Sequence, residues 1–479
     1  FLPLYQLICG LSSVKLNMQK GIPPKIVRMW AAQVPALAAI RKEMETMLSF
    51  KLIVTLAVVV FMTISLVIHK VPYGITGMTC VVILAFAGAL DAKSAFSGFS
   101  NTTVILVATM MVIAGALGKT SVVSRVRKLI GKAQGKKGIV LILILSVITI
   151  VLTQLMGMTA VMAILLTFVQ TLDPDGELCP SRMLFLLACV LCTWFGRFPV
   201  GMGAALPLAT NAYYEGLVEG HPEYLLGVFD FFKVGIVPSI VLTIYCLLGW
   251  KLIPKGQLDA SALNMPTGGQ KEAEPMSGKK EAVVIGVFLA TMVGFFLSSQ
   301  LGGLIYIIPV AGILLFYYFG VMTVPELVNG LTGDMIWMVA SMMAVTNAMS
   351  ASGAGELIGQ TVLKILGDNP SGIMVVTVFT LVSVLMTTFM SNNATIAILT
   401  PIAVSTALAG GMNPRAIATL VSMASCLAVA FPTGCAASMI AFGAGGYSPA
   451  KLLKFTIPYL ILGTVSLIIS ANIFFPVYG

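Results

Sequence analysis

The sequence predicts an all-α membrane protein composed of two inverted-topology repeats, each with a re-entrant hairpin and a broken (unwound) transmembrane helix. The first indication is composition, because hydrophobic residues make up 58% of the chain and charged residues 10%, whereas soluble domains contain roughly 25% charged residues. The second is an internal repeat, since FPVGMGAA at 198–205 returns as FPTGCAAS at 431–438. The third is that corresponding loops of the two halves differ in charge.

The first half contains apolar stretches with the length and composition of membrane helices. Two of them, 138–172 and 183–211, are interrupted near 156–159 and at 198–204 by Gly, Pro or polar residues. The part after the first interruption, Thr159–Leu172, covers about 21 Å, less than the ~30 Å hydrocarbon core. We therefore predict a re-entrant hairpin there. Continuous helices are predicted over 51–69, 74–90, 103–118 and 234–253.

The second half repeats this order of elements. Here the interrupted stretches are 372–409, broken at 390–394, and 415–445, broken at 431–437, and the continuous helices are predicted over 283–298, 303–319, 334–350 and 455–475. Thr395–Ala409 is again short, at about 23 Å. The domain organisation follows as an unassigned N-terminal segment, a first transmembrane repeat, a linker loop and a second transmembrane repeat, at 1–48, 51–253, 254–282 and 283–479.

Loop charges predict how the two halves lie in the bilayer. Residues 119–137 carry seven basic and no acidic side chains, which favours the cytoplasmic side. Residues 212–233 carry four acidic side chains against one lysine, as expected on the opposite side. The pattern reverses in the second half, where 352–371 have Lys364 as their one basic residue and the loop after the second broken helix contains Lys451 and Lys454. We therefore predict opposite orientations for the two repeats.

Composition also argues against a nucleic-acid-binding protein, a metalloprotein and an enzyme. The net charge of +10 is explained by lysine and arginine in cytoplasmic loops, so no nucleic-acid partner is expected. Most cysteines lie in apolar stretches, and we interpret Cys189-x-x-Cys192 as helix core, with no disulfides proposed. Two histidines exclude a histidine metal cluster. We expect no cofactor, no metal other than sodium and no catalytic cluster, hence no enzyme.

The interruption of the second hairpin is the strongest candidate site. Ser391, Asn392 and Asn393 stand between two apolar legs, where their oxygens could bind sodium and their amides and hydroxyls an anion. The N-terminus of the second leg adds attraction for an anion. Paired breaks at corresponding positions are typical of a transporter's midplane site. The alternative is a polar patch that bonds a neighbouring helix.

The matching interruption of the first hairpin is chemically poorer. It offers Gly157 for sodium and the Thr159 hydroxyl for the substrate. Thr153 and Thr387 lie one helical turn before the two tips, so their hydroxyls could face the same ions. A hydrogen bond back to a carbonyl of their own helix is an equally good interpretation.

The broken helices supply further candidates. Pro199 and Pro432 are followed by Gly201 and Gly434, and such residues release backbone carbonyls that could bind sodium. A packing kink is the alternative. Arg197 directly precedes the first break, and an arginine within a span is by default a functional hypothesis. It could pair with a substrate carboxylate or phosphate, or instead extend toward the membrane surface or pair with a loop acid.

Residues 51–479 resemble the divalent anion:sodium symporter family, which includes dicarboxylate, citrate and sulfate transporters. The likeness is carried by VPYGITGMTCVVILAFAGALDAKSAFSGFSNTTVILV at 71–107, by MSNNATIAILTPIA at 390–403 and by FPTGCAASMIAFGAGGYS at 431–448. It implies one sodium site at each hairpin, with the anion between them, and it implies that Ser438 contacts the substrate. It also implies a homodimer with elevator-like motion.

The chain departs from the family pattern at both sites. Where the family has Ser-Asn-Thr twice, this chain has Gly157-Met158-Thr159 and Ser391-Asn392-Asn393, and Thr-Pro-Pro-Asn is replaced by Cys435-Ala436-Ala437-Ser438. The first sodium site is the one most affected. Proton coupling and exchange therefore remain open as alternatives to sodium coupling.

The expectation is a secondary active transporter, a sodium-coupled symporter of small anions, with di- or tricarboxylates as the leading class. Its partners would be the small anionic substrate, the lipid bilayer and a second copy of the chain, and its location the plasma or inner membrane, crossed several times. The alternatives of another class are a membrane-embedded enzyme and a cation/proton antiporter. The antiporter would require a buried acid in a span, for which Asp334 is the one weak candidate.

Overall fold

The computed structural model describes residues 50–68, 70–121, 138–200, 202–256, 276, 278–367, 370–432 and 434–476. The N-terminal segment 1–48, most of the predicted linker 254–282 and the candidate Gly201 lie outside these residues. Val54–Gly479 forms one compact unit. Within the described ranges the regular elements are all helices, which confirms the predicted fold class.

The helices of the first half follow the predicted order. They are α1 (Phe50–Ile68), α2 (Tyr73–Phe86), α3 (Thr102–Leu117), the hairpin legs α4 (Gly138–Leu155) and α5 (Met158–Val169), the half-helices α6 (Pro180–Trp194) and α7 (Met202–Ala212), and α8 (Asp230–Gly249).

The second half repeats this order and adds two short helices, α11 and α13. Its elements are α9 (Gly278–Phe296), α10 (Leu304–Tyr318), α11 (Val324–Leu331), α12 (Asp334–Ser352), α13 (Ala354–Leu366), the hairpin legs α14 (Gly372–Phe389) and α15 (Asn392–Ala409), the half-helices α16 (Pro414–Ser425) and α17 (Ala436–Gly445), and α18 (Pro449–Phe474).

Seven helices in the described part of the chain are long and apolar enough to cross a membrane. In α18, one face is buried at Tyr459 and Leu467, while Ile461 and Ile473 on the other are 57% and 68% exposed. Water would disfavour so much exposed apolar surface, whereas lipid does not. These outer faces are the expected lipid contacts of a multi-pass membrane protein.

The two hairpins differ more than the sequence suggested. The second leg of the first hairpin, α5, has 12 residues, or about 18 Å. The second leg of the second hairpin, α15, has 18 residues, or about 27 Å, so the predicted shortness does not hold for it. It begins at Asn392, three positions earlier than predicted, because Ser391 caps it by accepting from Ala394 N at 3.2 Å.

In both broken helices, the half that precedes the break ends earlier than predicted. The first half-helix stops at Trp194, and Gly196 then takes a left-handed φ of 69°. The chain folds back so closely that a Cβ on Gly203 would lie 1.9 Å from Phe198 O. The second half-helix stops at Ser425, five residues short of the predicted break. Apolar composition continues through both stretches, so composition alone did not mark where the helices end.

Helices of the two halves interleave. An outer group forms where α2 packs against α12 and α3 packs against α10. A site group is formed by both hairpins, α6, α8, α18 and both halves of the second broken helix, with α6 packed against α17 and α8 against α18. The second half of the first broken helix, α7, packs mainly against α3 of the outer group. Of the two added helices, α13 falls within the segment 352–371, which was predicted as a loop, and no element was predicted where α11 lies. One of them, α13, packs against α15, the second leg of the second hairpin.

Candidate functional site

The second hairpin tip and the second helix break meet at Asn392. Three oxygens surround one end of its amide, with Gly434 O at 3.0 Å, Ser425 O at 2.9 Å and Thr387 Oγ1 at 3.0 Å. The amide orientation that satisfies these acceptors directs the nitrogen toward them. The Thr387 hydroxyl in turn donates to Ser425 O at 2.7 Å. The tip, the leg before it and both sides of the break are therefore joined by one network.

Local sequence explains why these groups converge. Ser425 is the last residue of its half-helix, so its carbonyl has no partner within that helix. Gly434 approaches the hairpin so closely that a Cβ would lie 2.5 Å from Ala428 Cβ and 2.8 Å from Thr387 O. A residue with a side chain would push the break away from the tip. The glycine is needed here for close approach.

The same tip also contacts the outer group. Tyr73, the first residue of α2, shares a hydroxyl–hydroxyl hydrogen bond of 2.6 Å with Ser391. Asn393 Nδ2 lies 3.9 Å from Met335 Sδ, a weak contact. Asp334 accepts hydrogen bonds from Tyr73 N at 3.0 Å and Gly74 N at 2.8 Å. The acid considered for an antiporter is thus committed to capping α2.

The first hairpin tip is built differently. Gly157 and Thr159 are exposed. The buried Thr153 hydroxyl donates to Thr149 O of its own helix at 2.6 Å, the second of its two predicted arrangements. The link between this hairpin and the first break is made by Gln154, whose Nε2 donates to Trp194 O at 3.1 Å.

Arg197 is buried in the site group, with 2% of its surface exposed. Its Nε donates to Thr193 O at 3.0 Å, and one terminal nitrogen lies 3.4 Å from Met423 O. None of the ion pairs formed by the described residues includes it. Glu215 is an acid of the loop 212–233, and its carboxylate lies 3.5 Å from Asn101 Nδ2. The guanidinium is therefore buried against carbonyls rather than extended to a membrane surface.

A thiol pair lies beside the second break. Cys435 Sγ is 3.4 Å from Cys192 Sγ and 3.1 Å from Ser438 Oγ. Ser438 is 1% exposed and donates to Ala428 O. The cysteines of the described residues are free thiols. The last turn of α6 and the second break therefore meet at this point.

The candidates of the second half are thus brought together, and those of the first half are not. Thr387, Ser391, Asn392, Gly434 and Ser438 share the second tip and break, whereas the hydrogen bonds of the described residues do not link Thr153, Gly157 or Thr159 to the first break. Sequence reasoning missed the carbonyl of Ser425, because that helix was predicted to end later, and also Gln154 and Tyr73. A glutamine inside an apolar leg was the available signal for Gln154.

Two comparisons with solved structures concern the fold. The YdaH transporter of Alcanivorax borkumensis aligns with 82% of this chain and 88% of its own, at a TM-score of 0.53 and 13% identity. MtrF of Neisseria gonorrhoeae, described as illuminating a class of antimetabolite efflux pumps, aligns with 83% of this chain and 85% of its own, at 0.55 and 15% identity. At such identities the likeness shows a shared fold alone.

Two curated relatives are similar over part of their length. An uncharacterized transporter of Synechocystis sp. is 27% identical over 156 residues, covering 33% of this chain and 25% of the relative. The uncharacterized transporter YfbS of Escherichia coli is 26% identical over 246 residues, covering 50% of this chain and 39% of the relative. The profile of the sodium:sulfate symporter transmembrane region matches residues 43–478. The chain therefore belongs to the sodium:sulfate symporter family of anion transporters and is a multi-pass membrane protein.

Proposed function

We propose that the protein is a sodium-coupled secondary active transporter of small anions, with di- or tricarboxylates as substrates, in the plasma or inner membrane. The supporting observation is the set of oxygens at Asn392. Thr387 Oγ1, Ser425 O and Gly434 O lie within 3.0 Å of the amide. Rotation of the amide by half a turn would add its own oxygen and give four acceptors.

These four oxygens suit sodium by their chemistry. Carbonyls from unwound backbone and from the C-terminal ends of half-helices are the usual sodium ligands of such transporters. Gly434 supplies the first kind and Ser425 the second. Ser391 stands beside them as the cap of α15. Thr153, Gly157 and Gly201 hold the matching sequence positions in the first half, where the family resemblance implies a second sodium site.

For the anion, we propose a position beside the hairpin tips. Its ligands would be Asn393 and Ser438 from the second half and Thr159 and Arg197 from the first. The N-terminus of α15 would favour negative charge there, and the Arg197 guanidinium would attract carboxylates. We further propose that the protein acts as a homodimer and carries its substrate by an elevator-like movement of the site group.

The first experiment is transport by purified protein in liposomes. Uptake of succinate, citrate and sulfate would be measured with an inward sodium gradient, with choline in its place, and with a proton gradient. We expect sodium-dependent uptake of at least one carboxylate. Sulfate uptake alone would contradict the carboxylate assignment, and uptake indifferent to sodium would favour proton coupling or exchange.

Asn392→Ala tests the site itself. We expect at least a tenfold loss of uptake with near-normal expression, because the change removes a cation ligand without touching a lipid face. Asn472→Ala is the matched control, since Asn472 Nδ2 donates within its own helix, to Ile468 O at 2.8 Å. Full transport by a well-expressed Asn392→Ala protein would place the site elsewhere.

A further inference from the structure

The backbone carbonyls at the two helix breaks accept hydrogen bonds from different kinds of donor. At the first, the carbonyls that end α6 are occupied by permanent side-chain donors. Arg197 Nε donates to Thr193 O at 3.0 Å, and Gln154 Nε2 donates to Trp194 O at 3.1 Å. These donors are part of the protein and cannot dissociate as an ion can. The two carbonyls therefore stay hydrogen-bonded for as long as this packing persists.

Arg197 also reaches the second broken helix. One of its terminal nitrogens lies 3.4 Å from Met423 O, in the last turn of α16. One guanidinium thus lies against the C-terminal ends of both half-helices, where the helix dipoles place partial negative charge. Gly235 makes room for it, since a Cβ there would lie 2.7 Å from Arg197 Cδ.

The second half has a different residue at each corresponding position. Ala430 stands where the first half has Arg197, and Thr388 stands where it has Gln154. The tip residue is also exchanged, with Asn392 in the second half and Met158 in the first. Ser425 O consequently accepts hydrogen bonds from the Thr387 hydroxyl and from the Asn392 amide, which can rotate, and not from a charged side chain.

We infer that Arg197, together with Gln154, takes the place of a coupling cation in the first half, so that sodium binds only in the second. The inference rests on the proposed sodium-coupled transport. A guanidinium supplies one positive charge to the same carbonyl ends that an ion would neutralise, but it is covalently fixed. The first half would then attract the anion, and sodium binding would couple to transport through the second half alone.

The number of bound sodium ions tests this directly. We would measure radioactive sodium binding to purified protein at equilibrium, together with the sodium dependence of uptake. We expect one ion per protomer, a Hill coefficient near 1, and loss of that ion in Asn392→Ala. Two ions per protomer, or an ion retained in Asn392→Ala, would overturn the inference while leaving sodium-coupled transport intact. No bound ion and sodium-independent uptake would reject the proposed coupling itself, and the inference with it.

A second experiment exchanges residues at corresponding positions of the two halves. Ala430→Arg places a fixed charge beside the second break, so sodium binding should be lost. Arg197→Ala combined with Met158→Asn should add an ion and raise the Hill coefficient toward 2. Sodium-induced thermal stabilisation of each purified variant reports binding independently of transport. An Ala430→Arg protein that folds and binds sodium as tightly as the wild type would contradict the inference.

Discussion

Tyr73 and Ser391, 318 positions apart in the chain, share a hydrogen bond of 2.6 Å between their hydroxyls. The bond joins the first residue of α2 in the outer group to the cap of α15 in the site group. Asp334 fixes the Tyr73 end, because its carboxylate accepts from Tyr73 N and Gly74 N. Any movement of the second tip relative to α2 must break this bond.

Tyr73→Phe should therefore shift the conformational equilibrium away from the state in which the second hairpin tip contacts α2. A neutral hydrogen bond contributes about 0.5–1.5 kcal/mol, which corresponds to roughly a 2- to 12-fold change in a two-state equilibrium. We expect the maximal uptake rate to change at least twofold while the protein stays folded. Thr79→Val is the control, since that hydroxyl donates to Ile75 O of the same helix. Equal rates in both variants would show that the tip does not leave α2 during transport.

The matched threonines of the two hairpins should behave differently. Thr387→Val removes the hydroxyl that donates to Ser425 O at 2.7 Å, and the apparent sodium affinity should fall about tenfold or more. Thr153→Val removes a hydroxyl that donates to Thr149 O of its own helix, and the sodium affinity should stay within twofold. Sodium titration of uptake measures both. A larger effect at Thr153 would reverse our assignment of the two halves.

The thiols of Cys192 and Cys435 offer a crosslink between the last turn of α6 and the second break. Their sulfurs lie 3.4 Å apart, and a disulfide requires about 2.05 Å, so oxidation would draw the two side chains together by about 1.4 Å. Diamide, which takes up the two thiol hydrogens as the bond forms, should inhibit uptake, and dithiothreitol should restore it. Cys192→Ala should abolish this sensitivity, whereas Cys246→Ala should retain it. Inhibition that persists in Cys192→Ala would assign it to another thiol.

The ion pair of Asp230 and Arg415 should stabilise the fold rather than the ion site. Arg415 Nη2 lies 2.5 Å from Asp230 Oδ2, with side-chain exposures of 26% and 3%. Breaking a fully buried pair costs about 3–5 kcal/mol, and the partial exposure of Arg415 reduces the expected cost of Asp230→Asn to about 2–3 kcal/mol. Thermal unfolding in detergent measures it.

The control for this pair is Glu177→Gln, which removes an exposed pair with Lys251 at 4.0 Å. We expect no measurable change in its unfolding temperature. The sodium affinity of folded Asp230→Asn protein should equal that of the wild type, because Asp230 bonds Gly227 N, Lys233 and Arg415 and none of the oxygens at Asn392. A reduced sodium affinity would extend the ion site to this pair.

Much of the fold follows from local sequence. Lipid requires long apolar helices with internally bonded backbone, so composition alone marks most of them. Polar and glycine interruptions at matched positions indicate the hairpins and breaks, because such residues are poor choices inside an apolar span. The second tip was identifiable for this reason, since Ser391, Asn392 and Asn393 stand between two apolar legs.

Tertiary structure decided which of these residues work together. Thr153 and Thr387 occupy equivalent positions, yet one hydroxyl returns to its own helix and the other reaches Ser425, 38 residues away. Periodicity cannot distinguish the two, because the choice depends on how closely a second helix end approaches. The partners of Arg197 are backbone carbonyls, which leave no trace in residue identity. The sequence by itself thus determined the helices, their breaks and the polar tip, and only the crossing of distant helix ends determined which donor meets which carbonyl.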